Sequence, residues 1–291
     1  MVIEKEKIMK KLFAFILVFA MALSMTACGG GEETEKSTID KILDQGYITV
    51  AISPDFAPSE FKDPTTGEVM GTDVEFAKFV ADYIGKKYGK TVELKIEEMD
   101  FKSCQAAVAT NAVHFSMNGY AATDERRENY ICAGPYAILG EDDTSYHGAL
   151  VKKGLEIKTA EDFKGLKIAC QQASLQYNLA MAQLPLDEMP DVEFITTLSM
   201  GAMMVTTGKV DAVIMTSGSA RPFVAQDDSL ELAEFKFEYE SDGTHALVNI
   251  NEPELGALVQ EALEAANNEL DYDALHQQMT DKALSMGVKV N

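Results

Sequence analysis

Apolar and polar positions change their spacing repeatedly along the chain, and this predicts an α/β fold. Short apolar runs typical of buried strands alternate with segments in which apolar residues recur every three or four positions, as in amphipathic helices. This rhythm runs once before a polar stretch at 140–145 and starts again after it. Two rounds of the pattern predict two lobes, each a mainly parallel sheet flanked by helices. The strands are predicted at 47–52, 91–96, 114–117, 167–170, 192–196 and 210–215, and the helices at 73–84, 101–110, 174–184, 200–207, 253–268 and 272–285.

Local signals suggest how some of these helices begin and pack. Asp73 is predicted to be the N-cap of its helix, because an aspartate side chain can accept hydrogen bonds from the first backbone N–H groups. Met200, Met203 and Met204 share one face of a later helix, where core packing is favoured over contact with a cofactor. The two helices at the C-terminal end can pack on either lobe, and periodicity does not decide between them.

The first 27 residues have the pattern of an export signal. Four lysines precede an uninterrupted apolar run at 12–23, which is too short for a permanent membrane helix. The following Met-Thr-Ala-Cys resembles a lipobox, so we expect residues 1–27 to be removed and Cys28 to carry acyl chains. Two acyl chains would hold the protein at the outer face of the cytoplasmic membrane, with 28–38 as a flexible tether. An ordinary signal peptide with an incidental cysteine is the alternative.

Charge and composition exclude several classes of partner. The net charge of −22 repels phosphate backbones, so we expect no nucleic-acid partner. Besides Cys28, the chain has Cys104, Cys132 and Cys170 without CxxC spacing, which favours small buried hydrophobic residues and leaves one disulfide pair open. Its four histidines show no metal-ligand spacing, and no phosphate loop or nucleophile elbow occurs. We therefore expect no metal, no cofactor and no catalysis.

The order and spacing of five segments resemble the polar amino-acid-binding family of ABC importer lipoproteins. The segments are ITVAISPDFAPSEFKD (48–63), GTDVEF (71–76), SMNGYAATDERRENYICAGPYA (116–137), EDFKGLKIACQQASLQ (161–176) and GKVDAVIMTSGSA (208–220). The resemblance runs from about residue 39 to the C-terminus and implies a two-lobed type II periplasmic-binding-protein fold with the ligand cleft between the lobes. Lobe 1 would comprise 39–138 and 242–291, and lobe 2 would comprise 139–241, with chain crossings near 136–140 and 241–244.

The third segment is similar to the part of the family that grips the ligand's α-carboxylate. There the resemblance assigns that role to Arg126, whose planar guanidinium can pair with a carboxylate through two parallel hydrogen bonds. It also implies that the Gly119 carbonyl faces an ammonium and that the Ala121 amide faces the carboxylate, although alanine lacks the hydroxyl of the family's usual Thr or Ser. The competing interpretation is a solvated Arg126 beside Glu125 and Glu128.

The other segments imply further ligand contacts. Phe56 would form an aromatic wall of the pocket, unless it only packs in the core. Ser174 begins a helix whose N-terminus can hold an anion, with a plain N-cap as the alternative, and Ala173 replaces the family's glycine. Thr216 occupies a position where the family usually carries aspartate, and Ser53 occupies one where some members do. Either Glu60 or another acid then pairs with the ligand's ammonium, or the ligand is not an ordinary α-amino acid.

The resemblance implies a monomeric, extracytoplasmic binding lipoprotein of an ABC importer. Two lobes would close around an amino acid or related small carboxylate and present it to the membrane permease. Two alternatives stay open. One is an enzyme of the same fold, similar to the cyclohexadienyl dehydratases, for which Glu60 is the candidate acid. The other is a sensor that presents its ligand to a membrane receptor.

Overall fold

The protein is represented by a computed structural model, in which residues 36–137, 146–188, 191–240, 242–288 and 290 are described. The predicted signal peptide and Cys28 lie outside these residues, as do all but the last three residues of the predicted tether and 138–140 and Ser241 of the predicted crossings. Residues from Thr38 onward belong to one structural unit.

The described elements are named in chain order. The strands are β1 (Tyr47–Ile52), β2 (Asp55–Phe56), β3 (Glu60–Lys62), β4 (Val69–Met70), β5 (Glu93–Glu98), β6 (Phe115–Ala121), β7 (Tyr130–Ala137), β8 (His147–Lys152), β9 (Ile168–Gln171), β10 (Glu193–Ile195), β11 (Ala212–Thr216), β12 (Leu230–Leu232) and β13 (Thr244–Asn249). The α-helices are α1 (Thr38–Gln45), α2 (Thr72–Tyr88), α3 (Phe101–Ala109), α4 (Asp124–Asn129), α5 (Leu175–Gln183), α6 (Leu198–Thr206), α7 (Ser217–Gln226), α8 (Pro253–Glu269) and α9 (Tyr272–Ser285).

Two sheets of the same design form the described framework. The first has the strand order β5-β1-β6-β13-β7 and the second the order β10-β9-β11-β8-β12. In the first sheet β13 is antiparallel to both neighbours, and in the second β8 is antiparallel to both of its neighbours. The remaining strands of each sheet run in one direction, which confirms the prediction of two mainly parallel α/β sheets. The exact lobe boundaries stay a prediction.

Each sheet is covered by helices whose apolar faces build its core. In the first lobe α2 and α8 supply buried residues to the cluster beneath β1, β6 and β13. The C-terminal helices, which periodicity left unassigned, both pack on this lobe: α8 lies against β7 and α2, and α9 lies against α2. Met279 and Ala283 of α9 also join a cluster with Phe61 and Met70 of the small sheet.

A small antiparallel sheet of β2, β3 and β4 lies at the edge of the first lobe. It is held against the start of α2 by a very close backbone approach at Gly71. A Cβ atom at Gly71 would lie 2.1 Å from the Ser59 carbonyl oxygen, and the φ of +136° also favours glycine. Because of this approach, Phe56 of β2 and Glu60 of β3 lie near the N-terminal end of α2.

The structure corrects the prediction that Asp73 is an N-cap. The helix α2 begins at Thr72 with Gly71 as its cap residue, and Asp73 lies in the first turn. Its carboxylate instead accepts hydrogen bonds from Gly119 N and from the hydroxyl of Tyr136. The prediction was wrong because the partners of Asp73 are far away in sequence.

The structure also decides the predictions about the methionines and the cysteines. Met204 is 3% exposed and packs in the core, but Met203 is 60% exposed, so the core interpretation was wrong for Met203. The three cysteines of the described region, Cys104, Cys132 and Cys170, are all free, and the open disulfide is not formed.

Candidate ligand-binding cleft

A cavity of about 1090 Å³ is lined by residues of both sheets. The small sheet, the end of β6 and helix α4 line it on the first lobe, and the starts of β8, α5 and α7 line it on the second. Its volume lies slightly above the usual range of pockets that enclose small molecules, about 300–1000 Å³. Six of the predicted ligand contacts line this cavity, namely Phe56, Glu60, Gly119, Ala121, Arg126 and Thr216, whereas Ser53 and Ser174 do not.

Arg126 lies in the cleft and is buried, with 5% of its surface exposed. Its Nη1 donates to the Ala121 carbonyl at 2.8 Å and its Nη2 donates across the lobes to the Ala173 carbonyl at 3.0 Å. The guanidinium carbon lies 5.0 Å from the ring centre of Tyr120 and 5.8 Å from that of Phe101. This environment contradicts the solvated interpretation.

The hydrogen-bonding partners of the Arg126 guanidinium are carbonyl groups. Among the described residues it makes no ion pair with a carboxylate, although burial lowers its pKa and disfavours its charge. A guanidinium has five N–H donors, so two bonds to carbonyls leave donors for an anion. The site can therefore bind a carboxylate at Arg126.

Gly119 connects the cleft wall to helix α2. Its φ of +57° is left-handed, and no atom lies within 4 Å of a Cβ placed there, so the glycine serves the backbone conformation. Its N–H donates to Asp73 Oδ2 at 3.0 Å. No described contact tests the predicted role of its carbonyl.

Three of the carboxylates that line the cleft belong to the small sheet and α2: Asp55, Glu60 and Asp73. Glu60 is 2% exposed, and its Oε2 has no hydrogen-bond partner. Burial, followed by the negative charges of Asp73 and Asp55, raises the pKa of Glu60 well above its usual range. Burial also raises the pKa of Asp73 to about 6, against the opposing hydrogen bonds from Tyr136 and Gly119.

Asp55 joins the two lobes, a role that the sequence did not indicate. Its Oδ2 accepts hydrogen bonds from Gln171 Nε2 at 3.0 Å and from the Leu198 N–H at 3.3 Å, at the start of α6. Its Oδ1 accepts from the hydroxyl of Ser53 at 3.0 Å. Burial raises the pKa of Asp55 more than these hydrogen bonds lower it. Ser53, which was predicted to contact the ligand, therefore does not line the cleft itself. It hydrogen-bonds to Asp55, which does.

Two polar residues of the second lobe cap helices that point at the cleft. Ser174 Oγ accepts from the Tyr177 N–H at 3.1 Å, which confirms that it caps α5. Thr216 Oγ1 accepts from the Ser219 N–H at 3.2 Å and caps α7. Ala173 adopts a left-handed φ of +60°, so alanine takes the conformation expected of the family's glycine. Its carbonyl then reaches Arg126.

His147 is a cleft residue that sequence reasoning missed. It pairs with Thr216 across β8 and β11, and its ring packs edge-on against Tyr239 with centres 5.2 Å apart. Burial lowers its pKa to about 4, so it is neutral at pH 7. Gln176 Nε2 lies 3.2 Å from Nδ1, and because an amide nitrogen only donates, the ring proton belongs on Nε2. This wall therefore offers neutral hydrogen-bonding groups beside Thr216.

Phe56 contacts both lobes. It lines the cleft from the small sheet and is partly buried against a second-lobe cluster that includes Met215 and Phe223. Within the described ranges no group of His, Cys, Asp and Glu could hold a metal ion. None of the helices in that part of the chain is both long and apolar enough to cross a membrane.

Comparison with known proteins gives consistent results. The arginine-binding extracellular protein ArtP of Bacillus subtilis (strain 168) is 28% identical over 168 residues, which are 58% of this chain and 58% of that protein. This chain therefore spans less than two thirds of that relative. A probable histidine-binding protein of Campylobacter jejuni is 25% identical over 235 residues, covering 81% of this chain and 83% of that protein.

Solved structures show the same fold. An amino acid ABC transporter substrate-binding protein of Streptococcus pneumoniae, bound to L-arginine, matches with 25% identity and a TM-score of 0.69 over 84% of this chain and 98% of that chain. The family model of the bacterial extracellular solute-binding proteins, family 3, matches residues 48–282, which include both sheets and the cleft. The chain therefore belongs to the bacterial extracellular solute-binding proteins of family 3.

Proposed function

We propose that this protein is the extracytoplasmic substrate-binding component of an amino-acid ABC importer. It binds an amino acid or a related small carboxylate between its lobes and presents it to the membrane permease. The observation that carries the proposal is Arg126, a buried guanidinium that lines the cleft and is bonded to carbonyl groups. A charge in such a site is best satisfied by an anion with two acceptors, and a carboxylate has that geometry.

Contacts between the lobes support a closing mechanism. Arg126 bonds to Ala173, and Asp55 bonds to Gln171 and Leu198. A ligand held by Arg126 therefore stabilises the closed arrangement of the two lobes, which these hydrogen bonds also favour. A closed form with higher affinity for the ligand is what allows closure to signal occupancy to a permease.

A thermal-shift screen over the L-amino acids, dipeptides and aromatic acids tests the proposal. A ligand that binds the folded form raises the melting temperature by mass action. We expect at least one small carboxylate to raise it, and isothermal titration calorimetry then gives its affinity. If no small carboxylate binds, the proposed function is overturned.

The proposal includes a lipid anchor at Cys28, which rests on the lipobox-like segment. Metabolic labelling with a palmitate analogue in a bacterial host tests it. The label should be lost in Cys28→Ser and kept in Cys104→Ser, whose thiol is buried in the fold. A label that persists in Cys28→Ser contradicts the anchor.

Glu60 is the observation that favours a second candidate function, that of an enzyme. A buried carboxyl group that keeps its proton can protonate a leaving hydroxyl group, as a dehydratase of this fold requires. Incubation with prephenate or arogenate would give an aromatic product. Turnover that Glu60→Gln abolishes would replace the binding function, and absence of product removes this candidate.

A further inference from the structure

Glu60 is a carboxylate of the cleft with a buried oxygen that has no hydrogen-bond partner. It lines the cavity, it is 2% exposed, and its Oε2 has no hydrogen-bond partner. A buried polar atom without a partner is strongly disfavoured, because it has lost water and gained nothing in return. Since Glu60 faces the cavity, a ligand can supply the partner.

The titratable groups that interact electrostatically with Glu60 lie on five different elements. They are Asp55 of β2, Asp73 of α2, Cys104 of α3, Tyr136 of β7 and Tyr272 of α9. None of these five groups is a cation, so they favour a positive charge beside Glu60. The arginines that line the same cavity are Arg126 of α4 and Arg221 of α7. Asp73 is held in place by Gly119 N and the Tyr136 hydroxyl, which leaves Glu60 as the carboxylate with the open acceptor.

We propose that Glu60 receives the α-ammonium group of the bound ligand, with Asp73 as a fixed negative charge behind it. This inference rests on the proposed function, since it requires a ligand whose carboxylate is held by Arg126. It assigns the cation-binding role to the first lobe, where the small sheet carries Glu60.

Strand β6 orders both charged groups of the first-lobe wall. Its Ala121 carbonyl accepts a hydrogen bond from the Arg126 guanidinium, and its Gly119 N–H donates to the Asp73 carboxylate. One strand therefore fixes both the group proposed to hold the ligand's carboxylate and the acid behind Glu60.

The second lobe offers no carboxylate at Thr216 for this purpose. The Thr216 hydroxyl is engaged in capping α7, and its strand partner His147 is a neutral imidazole at pH 7. Both charged ends of the ligand would then be held by the first lobe. The second lobe would close over them with Thr216 and His147, beside Arg221 and Glu240, which also line the cavity.

A proton linkage follows from this arrangement. Burial, followed by the negative charges of Asp73 and Asp55, raises the pKa of Glu60 and so favours its protonated form before ligand binds. A neighbouring ammonium favours the ionised carboxylate, so binding expels the proton. The apparent affinity should rise with pH until Glu60 ionises without ligand, and level off above that pH.

Calorimetry with matched ligands tests the assignment on the purified full chain. The probes are L-arginine with its α-hydroxy analogue argininic acid, and L-phenylalanine with L-phenyllactate. Wild type should prefer the amine of a pair, and Glu60→Gln should reduce this preference by about 10- to 100-fold. Glu68→Gln, an exposed position in the same hairpin, is the matched control and should leave the preference unchanged.

The outcomes separate the two proposals. If neither pair binds and the wider screen also fails, the proposed function falls and this inference falls with it. If wild type binds and Glu60→Gln keeps the full preference for the amine, only the assignment of Glu60 is overturned. If Glu60→Gln instead loses discrimination between arginine and citrulline while keeping the α-amine preference, the cation at Glu60 is a side-chain group and the α-ammonium assignment is wrong.

A measurement on the wild type does not depend on a variant folding. Titrations of the amine probe at pH 7 in phosphate and in Tris buffer report the protons released on binding, because the two buffers have different ionisation enthalpies. We expect net release of protons on binding, and a smaller release in Glu60→Gln. Binding without proton release in wild type overturns the linkage.

Discussion

Arg126 and Arg127 are neighbours in sequence, yet they occupy opposite environments. Arg126 is buried in the cleft and bonded to the Ala121 and Ala173 carbonyls. Arg127 is exposed and forms an ion pair with Asp242. Successive residues of a helix point about 100° apart, so the short helix α4 can direct one guanidinium inward and the other outward. Arg127 therefore serves as a natural control for Arg126.

Arg126→Ala should weaken binding of the ligand found in the thermal-shift screen by about 100-fold or more, because a charge-assisted contact is lost in a closed site. Arg126→Lys should not restore it, since an ammonium lacks the planar fork. Arg127→Ala should change the affinity by less than about threefold, as expected for an exposed ion pair. Calorimetric titration of all three variants gives the comparison. Undiminished affinity in Arg126→Ala would contradict the assignment.

Asp73 should make folding stability depend on pH. Its folded-state pKa is raised from 3.8 to about 6, so its contribution to stability is present below pH 3.8 and is lost as pH rises through about 6. The loss amounts to about 3 kcal/mol at 1.4 kcal/mol per pKa unit. Asp73→Asn should therefore show a smaller decrease in the free energy of unfolding between pH 4 and 7, measured by urea denaturation. Equal decreases in the two proteins would show that burial of this carboxylate carries no such penalty.

At the scale of elements, the junction between the small sheet and α2 positions the acidic side of the cleft. Gly71 brings the two backbones together, and β2 and β3 carry Phe56 and Glu60 into the cavity wall. Helix α9 supports the other side of the same sheet through Met279 and Ala283. The acids are thus placed by contacts among three elements, not by their own strand alone.

Gly71→Ala should destabilise the fold by about 3 kcal/mol, since the new Cβ would lie 2.1 Å from backbone oxygen at a strained φ. It should also weaken ligand binding, because the small sheet must move. Gly67→Ala is the matched control: its φ is +76°, but nothing lies within 4 Å of its Cβ, so a cost of about 1 kcal/mol is expected. Chemical denaturation and calorimetry measure both effects, and equal costs at the two glycines would refute the role of the close approach.

At the scale of the whole molecule, a few hydrogen bonds join the lobes. Ala173 of the second lobe accepts from Arg126 and from Gln105, and Asp55 of the first accepts from Gln171 and the Leu198 N–H. Each is worth about 1 kcal/mol net. Such weak links suit a clamp that must both close and reopen.

Gln171→Ala should weaken ligand binding about fivefold, because it removes one bond that favours closure. Gln183→Ala is the control, since Gln183 bonds to the Glu238 carbonyl within the second lobe and should leave affinity unchanged. Calorimetry measures the affinities, and small-angle X-ray scattering should show less compaction on ligand addition for Gln171→Ala. Equal behaviour of the two variants would exclude Gln171 from closure.

Much of the fold was predictable because its signals are local. The strand and helix periods predicted two α/β lobes, and most element bounds agree within a few residues. The helix start at Ser174 was predictable, and the cap there, which was the alternative to a ligand contact, forms with Tyr177 N only three residues away. Arg126 was found through a motif, and its side-chain chemistry explains its place in the cleft.

The remaining features depend on residues that are distant in sequence. Asp73 bonds to Gly119 and Tyr136, and Asp55 bonds to Gln171, so neither role has a local signal. The sequence alone determined the alternation of elements, the start of a helix at Ser174 and the kind of charge that each side chain can carry. Only the tertiary structure decided which charges are buried and what surrounds them. That is why the unpartnered carboxylate of Glu60 became visible only when the small sheet, α2 and β6 were brought together.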